Sequence, residues 1–146
     1  MLDVAIGNAL EDIADEVLEV FLEDYIWKFA YIDDPQKYQR TNQFADAWEF
    51  TDLKRHAYTV SKELFYNEAK LTTFNPRKFQ HGSKYSSPPD VRNNLPAILE
   101  GKRSSLWISV ERKVKFWERF IDDMISKGEL TKIIDKHFRK IGLVRF

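Results

Sequence analysis

Apolar residues recur every three or four positions along the first 30 residues, and acidic residues fall between them. The apolar stripe consists of Ile6, Leu10, Ile13, Ala14, Val17, Leu18, Phe21 and Tyr25. This period predicts an amphipathic helix from about Leu2 to Phe29. Its last turns carry more apolar residues than one stripe needs, namely Leu22, Ile26, Trp27 and Phe29. That excess has two interpretations, which are contact on a second side of the helix and a deeper core.

Alternating apolar and polar residues predict a β-hairpin further along the chain, after a break at 32–35 where aspartates and a proline disfavour helix. One run contains Trp48 and Phe50, and the next contains Tyr58, Val60, Lys62, Leu64 and Tyr66. A period of two residues is that of a strand, so we predict two antiparallel strands with Lys54 to Ala57 between them. Alternation at Leu106, Ile108 and Val110 predicts a short third strand.

Two apolar stripes separated by Gly128 predict a helical hairpin near the C-terminus. The first consists of Trp117, Phe120, Ile121, Met124 and Ile125, and the second of Leu130, Ile133, Ile134, Phe138 and Ile141. Gly142 stands where a left-handed C-terminal cap is expected. The apolar residues after it, Leu143, Val144 and Phe146, form a tail that either seals the core or inserts into a neighbouring protein.

These elements predict a single α+β domain over residues 1–146. A long N-terminal helix packs on a small antiparallel sheet, made of the hairpin plus a third strand, and a C-terminal helical hairpin follows. A short helix is expected from Ser87 to Glu100, stopped by Gly101.

A loop at about 67–89 lacks any sustained period and exceeds the roughly 12 to 15 residues of an ordinary connection. It combines cations with aromatic residues, and its candidate contact residues are Phe74, Arg77, Phe79, His81 and Tyr85. Nucleic-acid grooves and protein interfaces share this composition. We favour a protein interface, because no basic surplus surrounds the loop.

The composition narrows the classes of function. The 146 residues include 23 basic and 23 acidic residues, so no overall field draws the chain to nucleic acid or to an anionic membrane. The chain has no cysteine, which excludes disulfides, thiolate metal sites and cysteine nucleophiles. It contains no signal-peptide pattern and no run near the roughly 20 apolar residues of a membrane span, so we expect a soluble protein that is not exported.

The charges are unevenly distributed despite their balance. Residues 1–27 hold eight acidic residues and no lysine or arginine, whereas the chain from Gly101 onward holds twelve basic and six acidic residues. Such polarity either orients packed helices within one subunit or steers neighbouring subunits together. We favour the first interpretation, because the solvent faces of helices are usually charged.

The sequence predicts no catalytic, cofactor-binding or metal site. His56, His81 and His137 lie far apart, and none has a second histidine at ligand spacing. His137 falls on the apolar side of the last helix, where a core or boundary histidine is expected. There is no nucleophile elbow and no glycine-rich phosphate loop. A hydrolase whose site is assembled from distant residues remains an alternative, because such sites leave no local motif.

The order of several short segments resembles a family of tailed-bacteriophage minor tail, or tail-completion, proteins of the neck. The segments are Tyr31, Pro35, Tyr38, Arg40 and Thr41; 64–71; His81-Gly82-Ser83 leading through Asp90-Val91-Arg92 to 95–102; Trp107; 112–120; and 130–142. The likeness covers most of the chain. It implies an α+β subunit in a hexameric ring between a head-completion or connector ring and the tail-terminator ring.

The resemblance implies a virion protein of the neck, assembled in the host cytoplasm, which binds other proteins and catalyses nothing. Its partners are copies of itself, connector or head-completion proteins, and tail-terminator or tail-tube proteins, with DNA passing through the ring without sequence-specific recognition and no membrane contact. The expected contact residues are the five of the loop together with Val144 and Phe146. The alternatives are a head-completion adaptor, a tail terminator, a tail-assembly factor, and a nucleic-acid-binding regulator that uses the basic C-terminal third.

Overall fold

The computed structural model of the protein describes residues 1–30, 43–71 and 115–144 together with Pro96, without the side chains of residues 29 and 30. Within these segments the protein is α+β, with a long N-terminal helix, two small antiparallel sheets of two strands each, and C-terminal helices. The predicted break at 32–35 and the predicted third strand at 106–110 lie outside the described residues. So does the predicted short helix at 87–100, except for Pro96, which is helical.

The predicted N-terminal helix is confirmed. Helix α1 spans Leu2–Val20 and continues as a π-helix over Phe21–Ala30. In an α-helix of 3.6 residues per turn, Ile26 would lie about 140° around the axis from Phe21. A π-helical turn bonds residue i to i+5 and is wider, so Tyr25 and Ile26 both return to the side of Phe21. All three are buried.

The hairpin is also present. A helical turn, α2 (Gln43–Asp46), leads into four short strands, β1 (Trp48–Phe50), β2 (Lys54–His56), β3 (Thr59–Ser61) and β4 (Leu64–Tyr66). β1 pairs with β4 and β2 pairs with β3, both antiparallel, and a short 3₁₀-helix (Glu68–Lys70) follows β4.

Our prediction that Lys54 to Ala57 connects the strands is wrong, because Lys54–His56 is itself a strand and the chain turns at Ala57 and Tyr58. Two-residue hairpin turns need a positive φ, and Ala57 has a φ of 40° in place of the usual glycine or asparagine. Every residue of β2 is exposed, so no apolar alternation marks it in the sequence.

A bulge separates the two halves of the hairpin. Three residues, 51–53, lie opposite two, 62–63, where an ordinary ladder would place equal numbers. The Thr51 amide donates to the Glu63 carbonyl at 2.9 Å, and the Glu63 amide donates to Thr51 Oγ1 at 3.0 Å. The bulge therefore has its own hydrogen bonds and shifts the side-chain phase between β1 and β2.

The far end of the hairpin lies against the start of α1. Lys62 pairs with Glu11, and Arg55 Nη1 donates to the Asp3 carbonyl at 3.1 Å. Gly7 is buried at this contact, and a Cβ there would collide with the Arg55 guanidinium. A glycine on this turn of the helix therefore lets the arginine cross it closely.

The predicted C-terminal helical hairpin is confirmed. Helix α3 spans Phe116–Ile121 and continues as a π-helix over Asp122–Ser126, and helix α4 spans Glu129–Lys140. Gly128, between them, has a φ of 77°. Gly142 has a φ of 80°, as expected for a left-handed cap after α4.

Aromatic rings hold the helices and the hairpin together. Phe21 is fully buried, and its ring centroid lies 4.9 Å from that of Trp48 and 4.7 Å from that of Phe120. Trp48 also stacks on Trp117, with centroids 5.7 Å apart. The core thus joins α1, β1 and α3 through Phe21, and edge-to-face and stacked contacts of this kind add to the burial of apolar area.

Candidate functional site

Most of the predicted contact residues lie outside the part of the chain that the structure describes. This holds for Phe74, Arg77, Phe79, His81, Tyr85 and Phe146. Val144 lies within the residues that the structure describes, and 60 % of its surface is exposed.

The chain after α4 folds back on that helix. The Gly142 amide donates to the Arg139 carbonyl at 3.1 Å and the Leu143 amide to the Phe138 carbonyl at 2.9 Å, the two bonds of a Schellman cap. A shallow groove of about 250 Å³ results, which we call the tail groove; it is lined by Thr131, Ile134, Asp135, Phe138, Leu143 and Val144. Leu143 is half-buried there and Val144 faces outward.

Two exposed cations stand beside this groove. Arg139 and Lys140 occupy the last turn of α4, and neither forms an ion pair with any residue that the structure describes. Cations are favourable at a helix C-terminus, because the helix dipole places partial negative charge on the carbonyl groups there. The end of α4 therefore presents positive charge next to apolar Leu143 and Val144.

A second groove, of about 390 Å³, runs along the outer side of the first helix. We call it the acidic groove; it is lined by Asp15, Leu18, Glu19, Leu22, Glu23 and Trp27. Leu18 and Leu22 are half-buried, and Trp27 has 44 % of its surface exposed. The three carboxylates are exposed and form no ion pair with the described residues.

The groove bears on the two interpretations of the apolar excess at the end of the first helix. Ile26 is fully buried in the core, Leu22 packs against the core with one side and lines the acidic groove with the other, and Trp27 lies in the groove with 44 % of its surface exposed. Both interpretations therefore hold. In the sequence, the groove is indicated by Leu18 and Leu22, which are four positions apart and have acidic residues next to them.

Other acids of the first helix are used within the subunit. Glu16 accepts hydrogen bonds from Lys136 Nζ at 2.8 and 2.9 Å, and its Oε2 lies 2.6 Å from His137 Nε2. The hydrogen bonds from Lys136 and from His137 lower the pKa of Glu16 below its ordinary value of 4.5. This junction joins α1 to α4, so part of the charge asymmetry orients the helices, as we favoured.

His137 is the buried centre of that junction, and it lies on the inner side of α4 as the apolar pattern predicted. It is 6 % exposed. Its Nδ1 is buried and has no hydrogen-bond partner among the residues that the structure describes, and Asp12 Oδ2 lies 4.0 Å from it. The ring thus lies between two acids of α1 and serves the packing of the two helices.

A second polar link joins the end of the first helix to α3 and its extension. Tyr25 Oη donates to Asp123 Oδ2 at 2.5 Å, and Lys127 Nζ lies 2.6 Å from Asp123 Oδ1. Burial and the bond to Asp123 raise the pKa of Tyr25, so the hydroxyl keeps its proton. Lys127 and Tyr25 lower the pKa of Asp123, so that carboxyl remains ionised.

No protein-family model, curated protein or solved structure matches the chain.

Among residues 1–30, 43–71 and 115–144, no three acids or histidines are grouped so as to hold a metal ion. His56 is exposed in β2, whereas His137 is buried between α1 and α4. None of the helices described is long and apolar enough to cross a bilayer.

Proposed function

We propose that the protein is a structural component of a tailed-phage virion, a tail-completion protein that joins head and tail by binding other proteins. Support comes from the order of the sequence segments that resemble this family. The α+β architecture is compatible with the subunit which that resemblance implies.

The observation that carries most weight is the grouping of exposed apolar side chains into separate surfaces. Trp27 lies in the acidic groove, Val144 lies in the tail groove, and Ile121 and Ile125 are 40 % and 61 % exposed on one side of α3 and its extension. Apolar patches rimmed by polar residues mark protein contacts. A subunit of a ring needs several such surfaces, because it has neighbours on both sides and partners above and below.

In this proposal the protein is part of the neck of the virion, and the virion is assembled in the host cytoplasm. Copies form a hexameric ring between the connector or head-completion ring and the tail terminator or tail tube, and DNA passes through without sequence-specific contacts. Residues 74–85 contact the adjacent rings, and Val144 and Phe146 contact other proteins of the neck, including copies of the chain itself. The activity is binding, with no catalytic step.

Electron microscopy of a gene deletion tests this role. We expect full heads and finished tails to accumulate separately, and a plasmid copy of the wild-type gene to restore joined virions. A missing tail terminator would instead give tails of variable length, and a missing head-completion adaptor would give heads that lose DNA. Normal virions without this chain, or a gene outside any phage or prophage genome, would contradict the proposal.

A deletion of residues 74–85 tests the loop separately. The purified variant should give the circular-dichroism spectrum and unfolding midpoint of the wild type, yet fail to restore joining in the deletion strain. A loop-deleted protein that restores normal virions would reject the contact role of the loop.

The rival role in nucleic-acid binding predicts DNA affinity that falls steeply with salt. Several lysines of the basic third are engaged within the subunit, since Lys127, Lys132 and Lys136 each pair with a carboxylate. We therefore expect DNA binding that is weak even at low salt.

A further inference from the structure

Two surfaces of this subunit are complementary in charge and both are partly apolar. The acidic groove presents Asp15, Glu19 and Glu23 around Leu22 and Trp27. The end of α4 presents Arg139 and Lys140 beside Val144. Opposed charge around apolar contacts gives an interface both attraction and a fixed orientation.

From the level of Glu16, the acidic groove and the basic end of α4 extend in opposite directions along the two helices. Glu16 of α1 lies beside Lys136 and His137 of α4. Further along the first helix, Tyr25 is close enough to Glu129 for that carboxylate to contribute to its raised pKa. The first helix and α4 therefore run antiparallel. From the level of Glu16, Glu23 is about 10 Å toward one end at 1.5 Å per residue. Lys140 is about 6 Å toward the other end.

The basic end of α4 is therefore remote from most of the acidic groove of its own chain. The same cations can approach the groove of another copy if the copies are arranged head to tail. The groove has a volume of about 390 Å³ and follows the helix from Asp15 to Trp27, so it offers room for side chains from the end of α4.

We propose that the acidic groove binds the C-terminal end of α4 of a second copy, with Arg139 and Lys140 against the groove carboxylates and Val144 against Leu22 and Trp27. Such a contact uses two different surfaces, so a dimer still has one unoccupied acidic groove and one unbound end of α4. Repetition produces a closed ring or an open filament. The inference rests on the proposed function, for which it names the partner of the groove as the protein itself.

Charge reversal tests the pairing with the full-length chain. We expect wild-type protein to associate in sedimentation velocity at low salt as its concentration rises. E19K/E23K and R139E/K140E should each weaken association about tenfold or more, because like charges then face each other. The fourfold variant E19K/E23K/R139E/K140E should regain association, since its surfaces are again opposite in sign.

A matched control carries two acid-to-lysine changes elsewhere. Asp52 and Glu68 are exposed, lie outside both grooves and form no ion pair with another described residue. D52K/E68K alters the net charge as E19K/E23K does, and its association should equal that of the wild type. Equal weakening by both pairs would overturn the inference, because net charge alone would then explain the loss.

Blocking the apolar contacts supplies an independent test. L22D should disable the groove and V144D should disable the helix end, so each variant alone should remain monomeric. An equimolar mixture retains one intact pairing and should form dimers but nothing larger. Larger assemblies or no dimers in the mixture would overturn the head-to-tail pairing.

The outcome for the virion role is separate. Wild-type protein that stays monomeric at all concentrations overturns this inference, whereas the gene deletion tests the neck function. A deletion strain with unjoined heads and tails that is fully restored by L22D would retain the neck function and reject the groove contact.

Discussion

The inner and outer sides of the first helix carry similar residues in opposite settings. On the inner side Phe21 is fully buried among Trp48, Phe120 and other rings. On the outer side Trp27 is 44 % exposed beside Leu22 and carboxylates. Within ten residues of one helix, the inner side thus belongs to the core and the outer side belongs to the surface groove. Aromatic area on the inner side contributes to folding, whereas on the outer side 44 % of the Trp27 surface is exposed to solvent.

Removing the ring at the centre of the core should have the largest effect. Phe21→Ala leaves a cavity among packed rings and should lower the free energy of unfolding by about 3–5 kcal/mol. Urea unfolding followed by circular dichroism measures it. Phe65→Ala is the matched control, because Phe65 is 38 % exposed in β4 and should change stability much less.

Breaking the charged junction between α1 and α4 should have an intermediate and pH-dependent effect. Glu16→Gln removes the charge that Lys136 and His137 contact, and should cost about 1–2 kcal/mol at neutral pH. The pKa of Glu16 is lowered in the folded protein, so its stabilising effect is complete above 4.5 and is lost as the pH falls. The gap between wild type and variant should therefore narrow in acid.

Unfolding midpoints in urea across the acidic range measure that gap. Glu68→Gln is the control, since Glu68 is exposed and forms no ion pair with any described residue. A gap of constant size from neutral pH to well below 4.5 would show that ionisation of Glu16 does not stabilise the junction.

Removing one hydroxyl from the inner side should have a smaller effect. Tyr25→Phe keeps the ring but removes the hydrogen bond to Asp123, and should cost about 1 kcal/mol. In an alkaline spectrophotometric titration of the folded wild type, Tyr25 should ionise above the ordinary range of a tyrosine, because burial and the bond to Asp123 raise its pKa. If the late-ionising fraction persists in the variant, it belongs to another tyrosine.

The smallest effect on stability should come from the outer side. Trp27→Ala should change the free energy of unfolding by less than about 0.5 kcal/mol, as is usual for surface substitutions. It should nevertheless weaken self-association, measured by sedimentation velocity. A loss of stability as large as that of Phe21→Ala would show that Trp27 belongs to the core, and the distinction between the two sides would fail.

Local periodicity explains which elements could be predicted from the sequence. The first helix and the C-terminal helical hairpin carry apolar residues at helical spacing, and Gly128 and Gly142 mark the turn and the cap. The first half of the hairpin was harder to place. β2 has no buried side, and the extra residue at 51–53 shifts the alternation that the sequence pattern relies on.

The candidate surfaces depended on information that is not local. Glu16 and His137 are 121 positions apart, so their contact follows from the packing of α1 on α4. The tail was predicted to seal the core or to enter a neighbour, and it folds back on α4 with Val144 outward. The acidic groove was implied by excess apolar residues, but its boundary depends on where the π-helical turns begin.

Those wide turns also make the number of residues matter as much as their identity. If one residue between Phe21 and Trp27 were lost while the π-helical turns were kept, every later side chain would rotate by roughly 80° relative to the core, which is the angle per residue of a π-helix. Insertions and deletions in this stretch would then expose side chains that now lie in the core and bury side chains that now line the acidic groove. Chain length here decides on which side of the molecule the tryptophan stands.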